Sequence, residues 1–159
     1  MQTFDELRAF AQKHCTGPVE SDANCAPKAL RIDPQDLVPL CCAQHQDPAT
    51  YFDMLSCITG IDNGPEAAME VAYNLYSIPF DHHLMVKVSL NRENPSIDSI
   101  SSIWRTAEWH EREVYDMFGI SFNNHPDLRR ILLPADWEGY PLRKDYKQQE
   151  YYRDIKVEY

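Results

Sequence analysis

The chain has 159 residues, of which 25 are Asp or Glu and 15 are Lys or Arg, so its formal net charge is −10. That length fits one domain that buries roughly two thirds of its unfolded surface and folds without disulfides. The acidic balance repels phosphate backbones and anionic lipids, which argues against nucleic acid as a partner, and neither a secretory signal pattern nor an apolar run of the ~20 residues that a membrane span needs is found. We expect a soluble protein whose membrane association comes through other subunits.

The cysteines predict neither disulfides nor a metal cluster. The five are Cys15, Cys25, Cys41, Cys42 and Cys57, an odd number without paired spacing, which favours a reducing cytoplasm. Iron–sulfur and zinc sites need ligands at short spacings such as C-x-x-C, and the adjacent Cys41 and Cys42 do not supply one. We interpret these side chains as small buried hydrophobes.

The first third of the chain predicts two helices and a short strand. Thr3 and Glu6 have the spacing of a capping box at the start of an apolar pattern with helical period. Residues 28–32 read as a brief strand. Asp33 then predicts the cap of a second helix, which Pro39 makes short or bent.

Three longer strands are expected next. Residues 51–61 form an apolar run that ends in turn-forming residues, and residues 71–75 and 84–90 alternate between apolar and smaller or polar side chains. Because only a few residues separate the last two strands, we expect an antiparallel hairpin. We expect His82 and His83 at its turn to be solvated rather than to bind a metal.

From Ser96 the apolar residues recur at helical spacing up to Gly119, a natural residue to follow a helix. This pattern predicts one helix or two, with His110 as a core residue on the apolar side. The order of elements predicts an α+β domain over residues 1–124. We expect two layers, in which a mixed and mainly antiparallel sheet carries helices on one face.

Residues 125–159 have no strand or helix period, yet they contain Trp137, Tyr140 and Tyr146. A long segment without secondary structure is uncommon in a compact domain unless it is functional or disordered, and its aromatic residues argue against simple disorder. We predict an extended C-terminal arm that lies along a partner and is mobile in the isolated chain, at least beyond Tyr146.

Two interpretations fit the charged run at the end of the predicted helix. Glu111, Arg112, Glu113 and Asp116 form a solvated acidic face in the first, with Arg112 reaching Asp116 at i+4. In the second, these residues meet fixed charges on a neighbouring chain or the basic residues of the arm. Bidentate pairing of arginine with carboxylates would fix the arm on its own domain or on a partner. The basic residues available are Arg129, Arg130, Arg143 and Lys144.

An active site has little support in the sequence. No H-E-x-x-H, G-x-S-x-G or Cys–His signature is present, and none of the five glycines belongs to a phosphate-binding loop for NADH or flavin. An alternative from another class is a free-standing metalloenzyme that uses His82, His83, His110 or His125.

The segment from Ala107 to Tyr146 resembles the 30 kDa, or C, subunit of bacterial NADH:quinone oxidoreductase, respiratory complex I. The family's hallmark is E-R-E, an acidic residue three positions later, two apolar residues, a histidine and a basic–apolar run. It is filled here by Glu111, Arg112, Glu113, Asp116, Met117, Phe118, His125, Arg129, Ile131 and Leu132. Similarity continues through Pro134, Asp136, Trp137, Glu138, Gly139, Pro141, Leu142, Arg143, Lys144, Asp145 and Tyr146. Lys147 departs from the family, which often has proline at that position.

The resemblance implies a non-catalytic structural subunit in the peripheral arm of a proton-translocating complex, on the cytoplasmic side of a bacterial membrane. It implies no cofactor in this chain, with FMN and iron–sulfur clusters in partner subunits. The implied partners are the large quinone-site subunit (49 kDa type, D), the subunit bearing the terminal iron–sulfur cluster (B) and other peripheral-arm subunits. Related subunits serve membrane-bound hydrogenases and ferredoxin- or F420-linked complexes, which gives a second alternative. The expected partner-binding residues are Glu111, Arg112, Glu113, Asp116, His125, Arg129, Arg130, Asp136, Trp137, Tyr140, Arg143, Lys144, Asp145 and Tyr146.

Overall fold

The computed structural model describes residues 3–22 and 24–157, so the last two residues of the predicted arm lie outside it. The fold is α+β, as the sequence predicts. Its elements in chain order are α1 (Phe4–His14), β1 (Glu20–Asp22), β2 (Ala29–Ile32), a 3-10 turn (Pro34–Asp36), α2 (Leu37–Gln46), β3 (Met54–Asp62), β4 (Met69–Ser77), β5 (His82–Leu90), β6 (Ser96–Asp98), α3 (Ala107–Phe118), β7 (Ser121–Asn123), β8 (Tyr151–Tyr152) and β9 (Ile155–Lys156).

The first helix begins as predicted, whereas the second begins later. Thr3 caps α1 through a complete capping box with Glu6. Asp33 makes no side-chain capping bond, and Pro34 opens the 3-10 turn instead of α2. Helix α2 starts at Leu37, so Pro39 falls in its first turn, where a backbone N–H has no acceptor within the helix. The proline is therefore tolerated, and α2 is short, with 10 residues.

The main sheet is mixed and mainly antiparallel, with strand order β1-β2-β5-β4-β3. Strands β2 and β5 pair in parallel, and the other neighbours are antiparallel. The hairpin of β4 and β5 is confirmed, and its register opposes Ser77 to His82. The prediction of a solvated His82 is wrong: the side chain is 3% exposed and its Nε2 lies 2.9 Å from the carbonyl oxygen of Thr50. His83 is exposed and stacks on Tyr76.

The core lies between one face of this sheet and the helices. Alternate strand positions contribute side chains to this face, as the period of two requires. They pack with apolar residues of α1, α2 and α3 in a single buried cluster that includes Leu7, Ala11, Leu30, Leu37, Leu40, Leu55, Tyr73, Leu75, Val86, Val88 and Val114. The two-layer arrangement predicted from the order of elements is confirmed.

The predicted helical pattern from Ser96 is wrong for its first half. Residues 96–98 form strand β6, which pairs in parallel with β7, and helix α3 begins only at Ala107. The cause is tertiary: the buried Glu111 carboxylate accepts hydrogen bonds from the Ser99 hydroxyl and the Ile100 N–H, which holds residues 99–100 outside a helix. Gly119 ends α3 with φ of 70°, in the left-handed region that glycine favours.

No helix within residues 3–22 and 24–157 combines the length and the apolar character needed to cross a membrane.

Candidate functional site

The segment that follows β7 runs along α3 in the same direction as the helix. His125 Nε2 lies 3.0 Å from the carbonyl oxygen of Glu108, near the start of α3. One turn further, Arg112 donates from Nε to the carbonyl oxygen of Arg129 and from Nη2 to that of Arg130, both at 3.1 Å. The predicted pairing of Arg112 with Asp116 is not formed. The Arg112 guanidinium instead fixes the backbone of the arm.

Asp116 holds the next part of this segment. Its side chain is fully buried, and Oδ2 accepts hydrogen bonds from the backbone N–H groups of Ile131, Leu132 and Leu133 at 3.0, 2.7 and 2.9 Å. Oδ1 accepts from Arg130 at 2.7 Å. Burial works against ionisation, but the three N–H groups and Arg130 outweigh it and hold the pKa of Asp116 below its usual range. The carboxylate therefore fastens four consecutive residues to α3.

Arg130 joins this anchor to the residues that follow. Its Nη2 donates to the carbonyl oxygens of Trp137 and Gly139 at 3.0 and 2.9 Å, and its guanidinium lies 5.1 Å from the centre of the Tyr140 ring. The Tyr140 ring covers Gly119 so closely that any side chain at that position would collide with it. Residues 137–140 thus fold back over the end of α3.

Leu142 and Arg143 continue the attachment to α3. The Leu142 N–H donates to the carbonyl oxygen of Met117 at 3.1 Å, and Arg143 Nε donates to that of Phe118 at 2.6 Å. These carbonyls belong to the last turn of the helix, where no N–H within the helix is available to them. Leu142 and Arg143 therefore help to satisfy the C-terminus of α3, and the Arg143 guanidinium also lies over the Tyr140 ring.

Asp62, at the end of β3, binds the segment a second time. Its Oδ2 accepts the Lys144 N–H at 2.8 Å, across 82 residues of sequence, and its carboxylate pairs with Arg92. Arg92 also contacts Asp145 at 2.8 Å. The Arg92 guanidinium, with help from the N–H groups of Lys144 and Gly64, holds the pKa of Asp62 well below its usual range. Asp62 directly follows the apolar run 51–61, where the sequence predicts only a turn, because no local pattern signals such a distant partner.

Glu111 lies on the core side of α3. It is fully buried, and its carboxylate accepts from the Ser99 hydroxyl at 2.6 Å and from the Ile100 N–H at 2.8 Å. His125 Nε2 lies 3.9 Å from Glu111 Oε2. Burial raises the pKa of Glu111 to about 7. The solvated acidic face, the first of the two sequence interpretations, is therefore wrong for Glu111 and equally for the buried Asp116.

The last expected site residues also contact the chain itself. Asp136 accepts from Arg153 at 2.7 Å and from the Tyr152 hydroxyl at 2.8 Å, which ties the small β8–β9 hairpin to the segment. Trp137 Nε1 lies 3.2 Å from the Tyr146 hydroxyl. These contacts lie within the segment after His125, whereas the earlier ones fix that segment on α3 and β3, and the expected role of the segment toward a partner stays a prediction.

Sequence reasoning missed one exposed aromatic residue on α3. Trp109 is 61% exposed, and the Arg112 guanidinium lies over its ring at 5.3 Å. Its position on the polar side of an amphipathic helix could have identified it from the sequence, because a large aromatic side chain is unusual on a solvated helix face.

The four histidines of the metalloenzyme alternative do not converge. In the described part of the chain, no group of three or more His, Cys, Asp or Glu side chains is placed to hold a metal ion. His125 uses both ring nitrogens, since Nδ1 accepts the Asp127 N–H at 3.0 Å and Nε2 faces the carbonyl of Glu108. His110 is half-buried on α3 rather than enclosed in the core.

This chain matches a known protein family and is similar to several known sequences. The family described as "Respiratory-chain NADH dehydrogenase, 30 Kd subunit" matches residues 30–152. The C subunit of the NADH-quinone oxidoreductase of Chloroherpeton thalassium is 52% identical over 115 residues, which cover 72% of this chain and 48% of that protein. The corresponding protein of Chlorobium phaeobacteroides is 51% identical, with 70% of this chain and 68% of that protein covered. The chain thus spans about half the length of some of its relatives and about two thirds of others.

Solved structures show the same fold. A trypsin-resistant fragment (1–134) of Nqo5 is 27% identical, with a TM-score of 0.55 over 78% of this chain and 95% of the fragment. A chain of the membrane-bound sulfane sulfur reductase, an archaeal respiratory membrane complex, is 22% identical, with a TM-score of 0.73 over 90% of this chain and 84% of that one. The second likeness concerns the fold alone. Because the family match covers strands β3, β4 and β5 and the segment fixed on α3, the chain belongs to the family of the 30 Kd subunit of respiratory-chain NADH dehydrogenase.

Proposed function

We propose that this chain is a non-catalytic structural subunit in the peripheral arm of a proton-translocating NADH:quinone oxidoreductase, on the cytoplasmic side of a bacterial membrane. The main support for this proposal is that the charged residues of the family signature bind the backbone of their own chain. Arg112, Asp116 and Arg130 hold an irregular segment in one shape, and their donors and acceptors face backbone groups rather than an open cleft. Such an arrangement suits a rigid surface for other subunits better than acid–base chemistry.

The expected partners are the large quinone-site subunit and the subunit with the terminal iron–sulfur cluster. The segment 125–146 is the proposed contact region, because its irregular backbone is already fixed and costs little further ordering on association. In this proposal most signature residues act indirectly: Asp116 and Arg130 shape the surface, and neighbouring exposed residues contact the partner. FMN and the clusters reside in those partners.

Affinity purification tests the assembly. The full chain, tagged at one end, is expressed in its native bacterium, and the complex is isolated from detergent-solubilised membranes and identified by mass spectrometry. We expect the quinone-site and cluster-bearing subunits at equal stoichiometry with the chain, together with NADH:quinone activity. Recovery of hydrogenase subunits instead would support the hydrogenase-type alternative, and recovery of the chain alone would contradict the proposal.

The isolated chain gives a second test. We expect no NADH oxidation by the purified chain, since the redox chemistry is assigned to the partners. Stoichiometric zinc, iron or flavin retained after dialysis, together with such activity, would favour the metalloenzyme alternative over the structural subunit.

A further inference from the structure

Glu113 differs from the other charged residues of its run. Glu111 binds Ser99, Arg112 binds two backbone carbonyls and Asp116 binds Arg130 and the arm. Glu113 is exposed, and within residues 3–22 and 24–157 its side chain has neither a hydrogen bond nor an ion pair. Contacts within this chain therefore explain why the neighbouring positions are charged, but they do not explain why position 113 is a glutamate.

An apolar pocket adjoins this carboxylate. It lies between α3 and β3, the outer strand of the main sheet, has a volume of about 210 Å³, and is lined by Glu113 together with Gly60, Val114, Phe118 and Leu142. The pocket is smaller than the ~300–1,000 Å³ that cofactors and drug-sized ligands occupy. Its size fits a side chain rather than a cofactor.

The rim of the pocket is also apolar. Leu142 is 55% exposed there, although the backbone of the same residue is fixed to Met117 at the end of α3. A fixed, exposed leucine beside an open apolar pocket and an unpaired carboxylate has the composition of an interface centre, with an apolar core and a charged edge. Nothing else on this rim neutralises Glu113 among the described residues.

We propose that this pocket receives an apolar side chain of a neighbouring subunit, while Glu113 pairs with a Lys or Arg adjacent to that side chain. The charge of the occupant follows from electrostatic complementarity. Glu113 has no cation beside it in the described part of its own chain, and the chain has a net charge of −10, so this surface repels an acidic partner and attracts a basic one. The inference rests on the proposed function and adds to it the chemistry of one contact.

Binding of the purified full-length chain to the co-expressed quinone-site and cluster-bearing subunits tests the pair. We expect Glu113→Gln to weaken binding by at least ~10-fold, because a partner cation enclosed at the interface loses its counter-charge. Its binding should also depend less on NaCl than that of the natural chain. Glu113→Asp, which keeps the charge on a shorter side chain, should bind more tightly than Glu113→Gln. Leu142→Ala should weaken binding without changing the salt dependence.

Glu66→Gln is the matched control, since Glu66 is another exposed carboxylate, in the turn between β3 and β4. It should change binding by less than ~2-fold. Urea unfolding of each isolated variant checks that the fold is intact. If Glu113→Gln binds with the affinity and salt dependence of the natural chain, the inference is overturned while the proposed function stands. If the natural chain itself does not bind, both are overturned.

Discussion

At the scale of single residues, the site depends on carboxylates whose surroundings differ although they lie within two turns of one helix. Asp116 is ionised because four donors surround it, whereas Glu111 has two donors and a buried setting that favours its protonated form. Glu113, between them in sequence, is exposed. Position on the helix relative to the arm and the core sets these differences, since the residue types are alike.

Replacing Asp116 with Asn should destabilise the chain strongly. Asn keeps the shape but removes the charge, and its NH2 group replaces one carboxylate oxygen, so either Arg130 or the three N–H groups face a donor instead of an acceptor. Breaking a buried ion pair costs about 3–5 kcal/mol, whereas an exposed pair contributes about 1 kcal/mol or less. Asp127→Asn, in the exposed pair with Arg129, is the control. Urea unfolding measures both, and equal effects of the two substitutions would show that Asp116 is not an anchor.

Glu111 should make stability depend on pH. In the folded chain it keeps its proton up to about pH 7, while the unfolded carboxyl loses it near 4.5, so the native state binds more protons in this window. The free energy of unfolding should therefore fall as the pH rises from about 5 to 7, by on the order of 1–3 kcal/mol from this residue. The lowered pKa values of Asp62 and Asp116 act only at more acidic pH.

Glu111→Gln should abolish this decline, because the amide oxygen can still accept the Ile100 N–H and carries no charge. Glu108→Gln, on the same helix but only partly buried, should keep it. Urea unfolding at several pH values makes the comparison. A natural chain and a Glu111→Gln variant with parallel stability curves across the window would rule out the buried carboxyl as the source.

The run of charges at 111–116 could be singled out from the sequence, but the partners of each residue could not. The pairing of Asp116 with Arg130 agrees with the second interpretation, in which the charged residues of this run contact the basic residues of the arm. That Arg112 would bind carbonyls, and that Asp62 would bind the Lys144 N–H, depends on chain segments brought together only by the tertiary fold. The spacing of residues along the sequence does not predict such contacts.

At the scale of elements, strands were easier to predict than the region before α3. The hairpin of β4 and β5 follows from alternation, since every second residue of both strands is apolar and packs in the buried core. Residues 96–106 have apolar spacing compatible with a helix, but β6 pairs with β7 and Glu111 binds the turn that follows. Tertiary contacts therefore outweighed the local period.

The first part of the arm should be ordered in the isolated chain. The N–H groups of Ile131, Leu132 and Leu133 are bonded to a buried carboxylate, so their hydrogen exchange should be slow without any partner. Asp116→Asn should accelerate exchange at these three residues by local release, and it should accelerate exchange in the β4–β5 hairpin only as far as the global free energy of unfolding falls. Rapid exchange in the natural chain would instead support the sequence-based prediction that a partner orders this segment. For residues 147–157, mobility in the isolated chain stays the expectation.

At the scale of the whole molecule, the arm divides into two parts with different attachments. Up to Asp145 it is bound to α3 and to the end of β3 through backbone groups and arginines. Beyond Tyr146 the β8–β9 hairpin is joined to the earlier chain through Asp136, which accepts from Arg153 and from the Tyr152 hydroxyl, and through the contact of the Trp137 and Tyr152 rings. The first part is therefore continuous with the domain, and the second is loosely joined.

Two deletions should separate these parts. Removing residues 147–159 should leave the stability of the chain nearly unchanged and allow assembly with the quinone-site subunit, because only exposed contacts are lost. Removing residues 137–159 should impair both, since Arg130 loses two carbonyl acceptors, Gly119 loses the cover of Tyr140, and Asp62 loses the Lys144 N–H. The sequence predicts a domain over residues 1–124 that is separate from the arm, so unfolding experiments on this variant also test how far the arm belongs to the domain.

Co-purification from native membranes gives the second readout for both deletions. Assembly that survives the longer deletion would show that residues 137–146 do not support the contact with other subunits. Loss of assembly with the shorter deletion would assign the partner contact to the β8–β9 hairpin instead. The domain with its first arm segment is the expected unit of assembly, because the backbone between His125 and Asp145 is already held in place by α3 and β3 before any partner binds.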